Sequence, residues 1–177
     1  MTRHVMLDLE TLGTRPGCVI RSVGACSFEL ETTKVGAGFY RNITRESCEA
    51  LGLHVDPQTE AWWAQQSEEA RAHLEPDQRD ITDVVEEFHA AFRATGAACI
   101  WCHGATFQVL PTWDAVAHLL GLRSPWKFYD VRDTRALFDL ANFDTRTIAR
   151  EGTHHNALDD AIFQAKCVQA AYRKLRS

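Results

Sequence analysis

No apolar run in the 177-residue sequence approaches the roughly 20 residues that a membrane-spanning helix needs, so no membrane partner is expected. The opening stretch MTRHVMLDLE lacks the basic, apolar and small-residue succession of an export signal, and the expected location is the cytoplasm. Proline and glycine are sparse, at 5 and 10 residues, and nowhere gather into a linker. With no linker, repeat or low-complexity tract, the chain reads as one domain over residues 1–177, long enough to bury a core. An excess of positive charge is also missing. The net charge of −5 is no footprint of a protein that grips duplex nucleic acid by its backbone alone. It leaves room for an enzyme that meets a strand end with metal ions supplying the positive charge.

A disulfide framework is absent as well. The six cysteines, Cys18, Cys26, Cys48, Cys99, Cys102 and Cys167, are scattered along a chain too long to need staples. Cys99 and Cys102 form a C-x-x-C, but inside the apolar run AACIWCHG rather than at a helix start, where a redox pair would sit. No second ligand pair at zinc spacing follows Cys102 and His103. All six are expected to be reduced core residues.

What the sequence does contain is order. The first forty residues are β-rich: a strand over about 4–10, then VIRSVGACSFEL and KVGAGFYRNI, separated by ETT at hairpin length. One helix is expected over DPQTEAWWAQQSEEARAHL and another over DITDVVEEFHAAFRATG, the latter ending at Gly96. A buried strand ACIWCHG follows, then a helix LPTWDAVAHLLG with Pro111 in its first turn. A short strand WKFYDV precedes a helix capped by Asp133, and a last helix runs from about Asn156 to Arg176. An antiparallel meander followed by parallel crossovers implies an α/β fold with a mixed five-stranded sheet and helices on both faces.

Two acidic groups stand out. In the first strand, alternation puts Val5, Leu7 and Leu9 on one face and Met6, Asp8 and Glu10 on the other. Two carboxylates side by side on a core strand repel and are costly to bury. The second group is HHNALDDA, where Asp159 and Asp160 begin the last helix. Helix capping accounts for either, and periodicity does not choose between them. Taken together, Asp8, Glu10 and an Asp of the last helix form an oxygen site for Mg²⁺ or Mn²⁺. A neighbouring histidine can take a proton from water. Such a set is suited to phosphodiester hydrolysis.

DLET near the N-terminus and H-x-x-x-x-D from His155 to Asp160 resemble the motifs of the DEDDh 3′–5′ exonuclease superfamily, which has a ribonuclease H-like fold. DPQTEAWWAQQSEEAR, PWKFYDVRDTRALFDL and HHNALDDA resemble one branch of it, the phage and prophage exonucleases similar to the C-terminal part of exodeoxyribonuclease VIII and to RNase AS. The resemblance covers essentially the whole chain. It implies that Asp8, Glu10 and Asp160 hold metal, that His155 is the general base, and that Thr11, Leu12 and Gly13 receive the terminal nucleotide. Phe107 is the expected wedge against the last base, and Trp63 of the Trp62–Trp63 pair an expected base contact. The implied substrate is the 3′ end of single-stranded DNA or RNA, and the branch implies a homodimer that no sequence signal establishes.

The second motif departs from the pattern. His103 stands where the superfamily has Asn, and Gln108 where it has the Asp supporting the second metal. A neutral amide is a poorer ligand for a hard dication, so two ions are expected, the second weakly held with Gln108 beside it. Asp114, about 240° further round a helix, is a poor substitute. The alternative is an exonuclease fold that binds 3′ ends without efficient turnover. His103 reads more simply as a strand-end histidine.

Overall fold

A computed structural model describes residues 2–106 and 108–177, with only the backbone of Gln108, Val109 and Leu110. Strand β1, Arg3–Thr11, is buried from His4 to Glu10, as befits a central strand covered on both sides. It pairs antiparallel with β2, Ile20–Glu29, which pairs antiparallel with β3, Val35–Asn42. On the other side β1 pairs parallel with β4, Cys99–Cys102, and β4 pairs parallel with β5, Val131–Asp133. The sheet order is β3-β2-β1-β4-β5, a mixed five-stranded sheet in an α/β fold.

The alternation read from β1 separates two cores. Val5, Leu7 and Leu9 join the cluster that contains Val84, Val85 and Phe88 of α4, Ile81–Thr95. Met6 joins the cluster of Ala161, Ala165 and Val168 on α7, Ala157–Arg176. Helices therefore cover both faces. Asn156 caps α7, its Oδ1 accepting from the amides of Leu158 (3.0 Å) and Asp159 (3.2 Å).

Several boundaries differ from expectation. A short helix α1, Arg45–Ala50, precedes the tryptophan helix. The stretch expected as one helix over residues 56–74 is two, α2 (Pro57–Ala64) and α3 (Glu68–Ala72). Ser67 interrupts it as a fresh N-cap, its hydroxyl accepting from Ala70 N at 3.1 Å. The helix expected from Leu110 begins as a π-helical segment, Gln108–Trp113, that contains Pro111 and passes into α5, Asp114–Leu119. A proline inside a helix removes a backbone hydrogen bond, and a wider turn accommodates the loss. The strand expected over WKFYDV lies later: Phe128–Asp130 is a 3₁₀ turn, β5 follows, and Asp133 caps α6, Thr134–Leu140. No helix among the described residues is long and apolar enough to cross a membrane. All six cysteines are free thiols, and five are buried.

Candidate active site

The site lies where α7 crosses the C-terminal half of β1. Asp8 pairs in register with Gly24 of β2, and Glu10 with Ser22. A Cβ at Gly24 would lie 2.0 Å from the Ala157 carbonyl carbon, so the missing side chain lets the start of α7 rest on the sheet beside Asp8. The small residues Ala157, Ala161 and Ala165, all fully buried, keep the helix close. Asp160 and Gln164, one turn apart on α7, then face β1.

Asp8, Glu10 and Asp160 are all buried, and one carboxylate oxygen of each lies within 4.8 Å of the others. Burial, followed by the charges of Asp8 and Asp160, pushes the Glu10 carboxyl well above the usual carboxylate range. Gln164 Nε2 donates to Asp8 Oδ1 at 3.0 Å, while Gln164 Oε1 is buried without a hydrogen-bond partner. Crowded hard oxygens, one of them orphaned, fit a divalent cation. Cysteine takes no part in any three-residue group among the described residues that could hold a metal.

The loop before α7 engages the two aspartates differently. Asp159 Oδ2 accepts from Thr153 N at 2.7 Å and braces that loop, whereas Asp160 faces the carboxylates. Asp160 Oδ1 is ion-paired with Arg150, and Oδ2 accepts from His155 N at 3.3 Å. His155 adopts a left-handed backbone (φ 65°), a strain of about 1–3 kcal/mol that persists only where the surroundings hold it in place. They do so with rings. His154 stacks on His155 at 3.9 Å between centroids, and Trp62 meets it edge-on at 4.9 Å. Burial, then the charge of His154, lowers the His155 pKa and favours the neutral base at pH 7. His154, His155 and Asp160 form a second group with donor atoms within 4.8 Å of one another.

A cleft of about 420 Å³ opens beside Glu10 between the turn after β1 and α2. Thr11 and Gly13 line it, with the Thr11 hydroxyl donating to Gly13 O at 2.9 Å. Leu12 is buried, and its carbonyl accepts from Asp56 N at 2.7 Å, tying the turn to α2. Gly13 is explained by packing, since a Cβ there would lie 2.7 Å from Cys18 Cβ. The two tryptophans divide their roles differently from the expectation. Trp63, the expected base contact, is 6% exposed and donates from Nε1 to Thr11 O at 2.9 Å. It forms the floor of the cleft, and the outward ring is Trp62, 42% exposed. Phe107 and the side chain of Gln108 lie outside the described residues.

The residues around the second motif are tied to β5 and α6. Asp133 accepts from Gly104 N (3.4 Å) and Ala105 N (2.8 Å). His103 Nε2 accepts from Arg135 Nε at 3.3 Å, which leaves its Nδ1 proton for Thr134 Oγ1 at 2.8 Å. His103 therefore has a bracing position at a strand end. Asp114 is engaged elsewhere, accepting from Ser124 Oγ at 2.5 Å. Sequence reasoning missed Arg150, Gln164 and Gly24. Only Gly24, a glycine in mid-strand directly across from an acid, carries a local signal.

Residues 3–172 match a family model described as the Rv2179c-like 3′–5′ exoribonuclease domain. No curated protein matches the chain in sequence. Among solved structures, the nuclease domain of 3′hExo, a DEDDh family member bound to rAMP, superposes with a TM-score of 0.60 at 12% identity, covering 98% of this chain and 92% of that one. Exonuclease I superposes at 0.68 with 14% identity, over 99% of this chain but only 43% of its own length. The zinc-bound form of E. coli ExoI with single-stranded DNA gives 0.67 at 15% identity, over 100% and 41%. At these identities the likeness is one of fold, the ribonuclease H-like mixed sheet of exonucleases.

Proposed function

As a member of the Rv2179c-like 3′–5′ exoribonuclease domain family, and so of the DEDDh 3′–5′ exonucleases, this chain is, we propose, a divalent-metal-dependent enzyme that removes nucleoside 5′-monophosphates from the 3′ ends of single-stranded RNA or DNA. The observation that carries the proposal is the convergence of Asp8, Glu10 and Asp160 beside His155. A divalent cation such as Mg²⁺ or Mn²⁺, held by these three carboxylates, would polarise the phosphoryl oxygens and make water more acidic. Gln108, neutral where the superfamily pattern has an acid, leaves a second ion weakly held.

The remaining work falls to side chains of this chain. His155, neutral at pH 7, takes a proton from the attacking water as its oxygen bonds to phosphorus. The bond from phosphorus to the 3′ oxygen of the preceding nucleotide breaks, and that oxygen leaves with a proton from solvent. The cleft beside Glu10 receives the terminal nucleotide against Thr11 and Gly13, with Trp62 as the face on which its base stacks.

The test is digestion of 5′-labelled single-stranded oligonucleotides. Stepwise shortening from the 3′ end in Mg²⁺ or Mn²⁺ is expected, with none in excess EDTA. Asp8→Ala and His155→Ala are expected to stop it while the chain still unfolds cooperatively. Undiminished digestion in EDTA refutes the proposal. Binding of 3′ ends without turnover, even at high Mn²⁺, favours an end-binding module instead.

A further inference from the structure

Three carboxylates on one site demand more positive charge than one dication carries. A single divalent ion neutralises two of them. Arg150 is ion-paired with Asp160 of this cluster. Arg150 belongs to the loop before α7, and that loop is tied down at two points just after it. Glu151 is paired with Lys166 at 2.7 Å, and Asp159 accepts from Thr153 N at 2.7 Å. The guanidinium also lies over the ring of Phe163, 4.2 Å from its centroid, which fixes its plane. The Asp160 side chain is 10% exposed and that of Arg150 33%, so the arginine has one edge on the carboxylate and another open to solvent.

We propose that Arg150 is a catalytic residue of the exonuclease reaction: it holds Asp160 with one edge of its guanidinium and a non-bridging oxygen of the scissile phosphate with another. The assignment rests on the exonuclease function proposed above. The chemistry suits the fork. Arginine has five N–H donors, and Asp160 engages Nη1, leaving donors for a phosphate. A fixed cation aimed at a phosphoryl group stabilises the charge that develops in the transition state without reorganising at the moment of reaction. Here it contributes the positive charge that a neutral Gln108 does not help a second ion to supply.

The experiment is a double-mutant cycle with Arg150→Gln and Gln108→Asp, in Mn²⁺, on a 5′-labelled single-stranded oligonucleotide, with Mn²⁺ affinity measured separately by calorimetry without substrate. Arg150→Gln is expected to lower kcat by about 10²–10³-fold. In the Gln108→Asp background, where an acid helps hold the second ion, the same change is expected to cost less than about tenfold. Arg150→Lys is expected to keep more turnover than Arg150→Gln, and it carries the comparison if the glutamine variant fails to fold. With the repulsion of a neighbouring cation removed, Mn²⁺ is expected to bind the Arg150→Gln variant at least as tightly as the wild type.

Equal losses in both backgrounds, or weaker Mn²⁺ binding by Arg150→Gln, would identify Arg150 as a brace for Asp160 and overturn the assignment. Turnover that survives Arg150→Gln within about threefold overturns it alone, leaving the exonuclease function intact. A wild-type chain with no turnover overturns both.

Discussion

Replacing Gly24 with alanine tests whether α7 delivers the third carboxylate. The added methyl carbon would sit 2.0 Å from the Ala157 carbonyl carbon, 2.1 Å from Leu158 N and 2.3 Å from Ala157 O. All three are backbone atoms, so no side chain can turn aside. Ordinary contact begins near 3.4 Å, so the start of α7 must retreat by about 1.4 Å, the difference from 2.0 Å. Asp160 lies in the first turn of that helix and retreats with it, away from Asp8 and Glu10. A misplacement of about 1 Å can cost on the order of 10²-fold in rate, and overpacking about 1–3 kcal/mol in stability. For a domain of this size each kcal/mol lowers Tm by roughly 2–4 °C. Gly24→Ala is therefore expected to fold, to unfold about 2–12 °C earlier, to digest oligonucleotides about 10²-fold more slowly and to bind Mn²⁺ more weakly. Gly38→Ala is the control, because its methyl meets only the Leu158 side chain, at 3.0 Å. Turnover and Mn²⁺ affinity at wild-type level in Gly24→Ala would refute the claim that this close approach sets the site.

Other perturbations address charge and contact. With Glu10 raised by burial and by its acidic neighbours, the folded metal-free chain holds a proton that the unfolded chain releases near pH 4.5. Its stability therefore falls as pH rises from there through the raised pKa. Glu10→Gln should raise the Tm of the metal-free protein at pH 8 and abolish the rise that Mn²⁺ produces in the wild type; scanning calorimetry reads both. His155, lowered mainly by burial, must be neutral to accept a proton, so the acid limb of log(kcat/KM) against pH should centre below 6.5. A limb above that value would contradict the assignment. Trp62→Ala should weaken single-strand binding by about 1–3 kcal/mol with little change in Tm. Trp63→Phe should instead lower Tm, because it removes the bond to Thr11 O and leaves a half-buried carbonyl short of a donor. Fluorescence titration and thermal melts separate the two.

The sequence was most legible where a pattern repeats along one element. Alternation in β1 assigns each residue to its face, and the apolar spacing of residues 81–95 marks α4 and its αL stop at Gly96. Legibility fell where the deciding contact is distant in sequence. Asp159 and Asp160 are indistinguishable by periodicity, and what separates them is Thr153 N on one and Arg150 on the other. Trp62 and Trp63 are likewise neighbours on one helix, and only the carbonyl of Thr11, 52 residues away, makes Trp63 the inward ring. The break between α2 and α3 was visible as Ser67 followed by two glutamates, but the good helix formers around it hid the cap.

The hydrogen bond from Gln164 to Asp8 spans 156 positions of the chain. At roughly 5–20 residues per second, a chain being translated carries β1 for on the order of ten seconds or more before α7 has been made. Throughout that interval Asp8 and Glu10 have neither Asp160 nor Arg150 beside them. The group of Asp8, Glu10 and Asp160 is thus incomplete until α7 has been made and docks on the sheet.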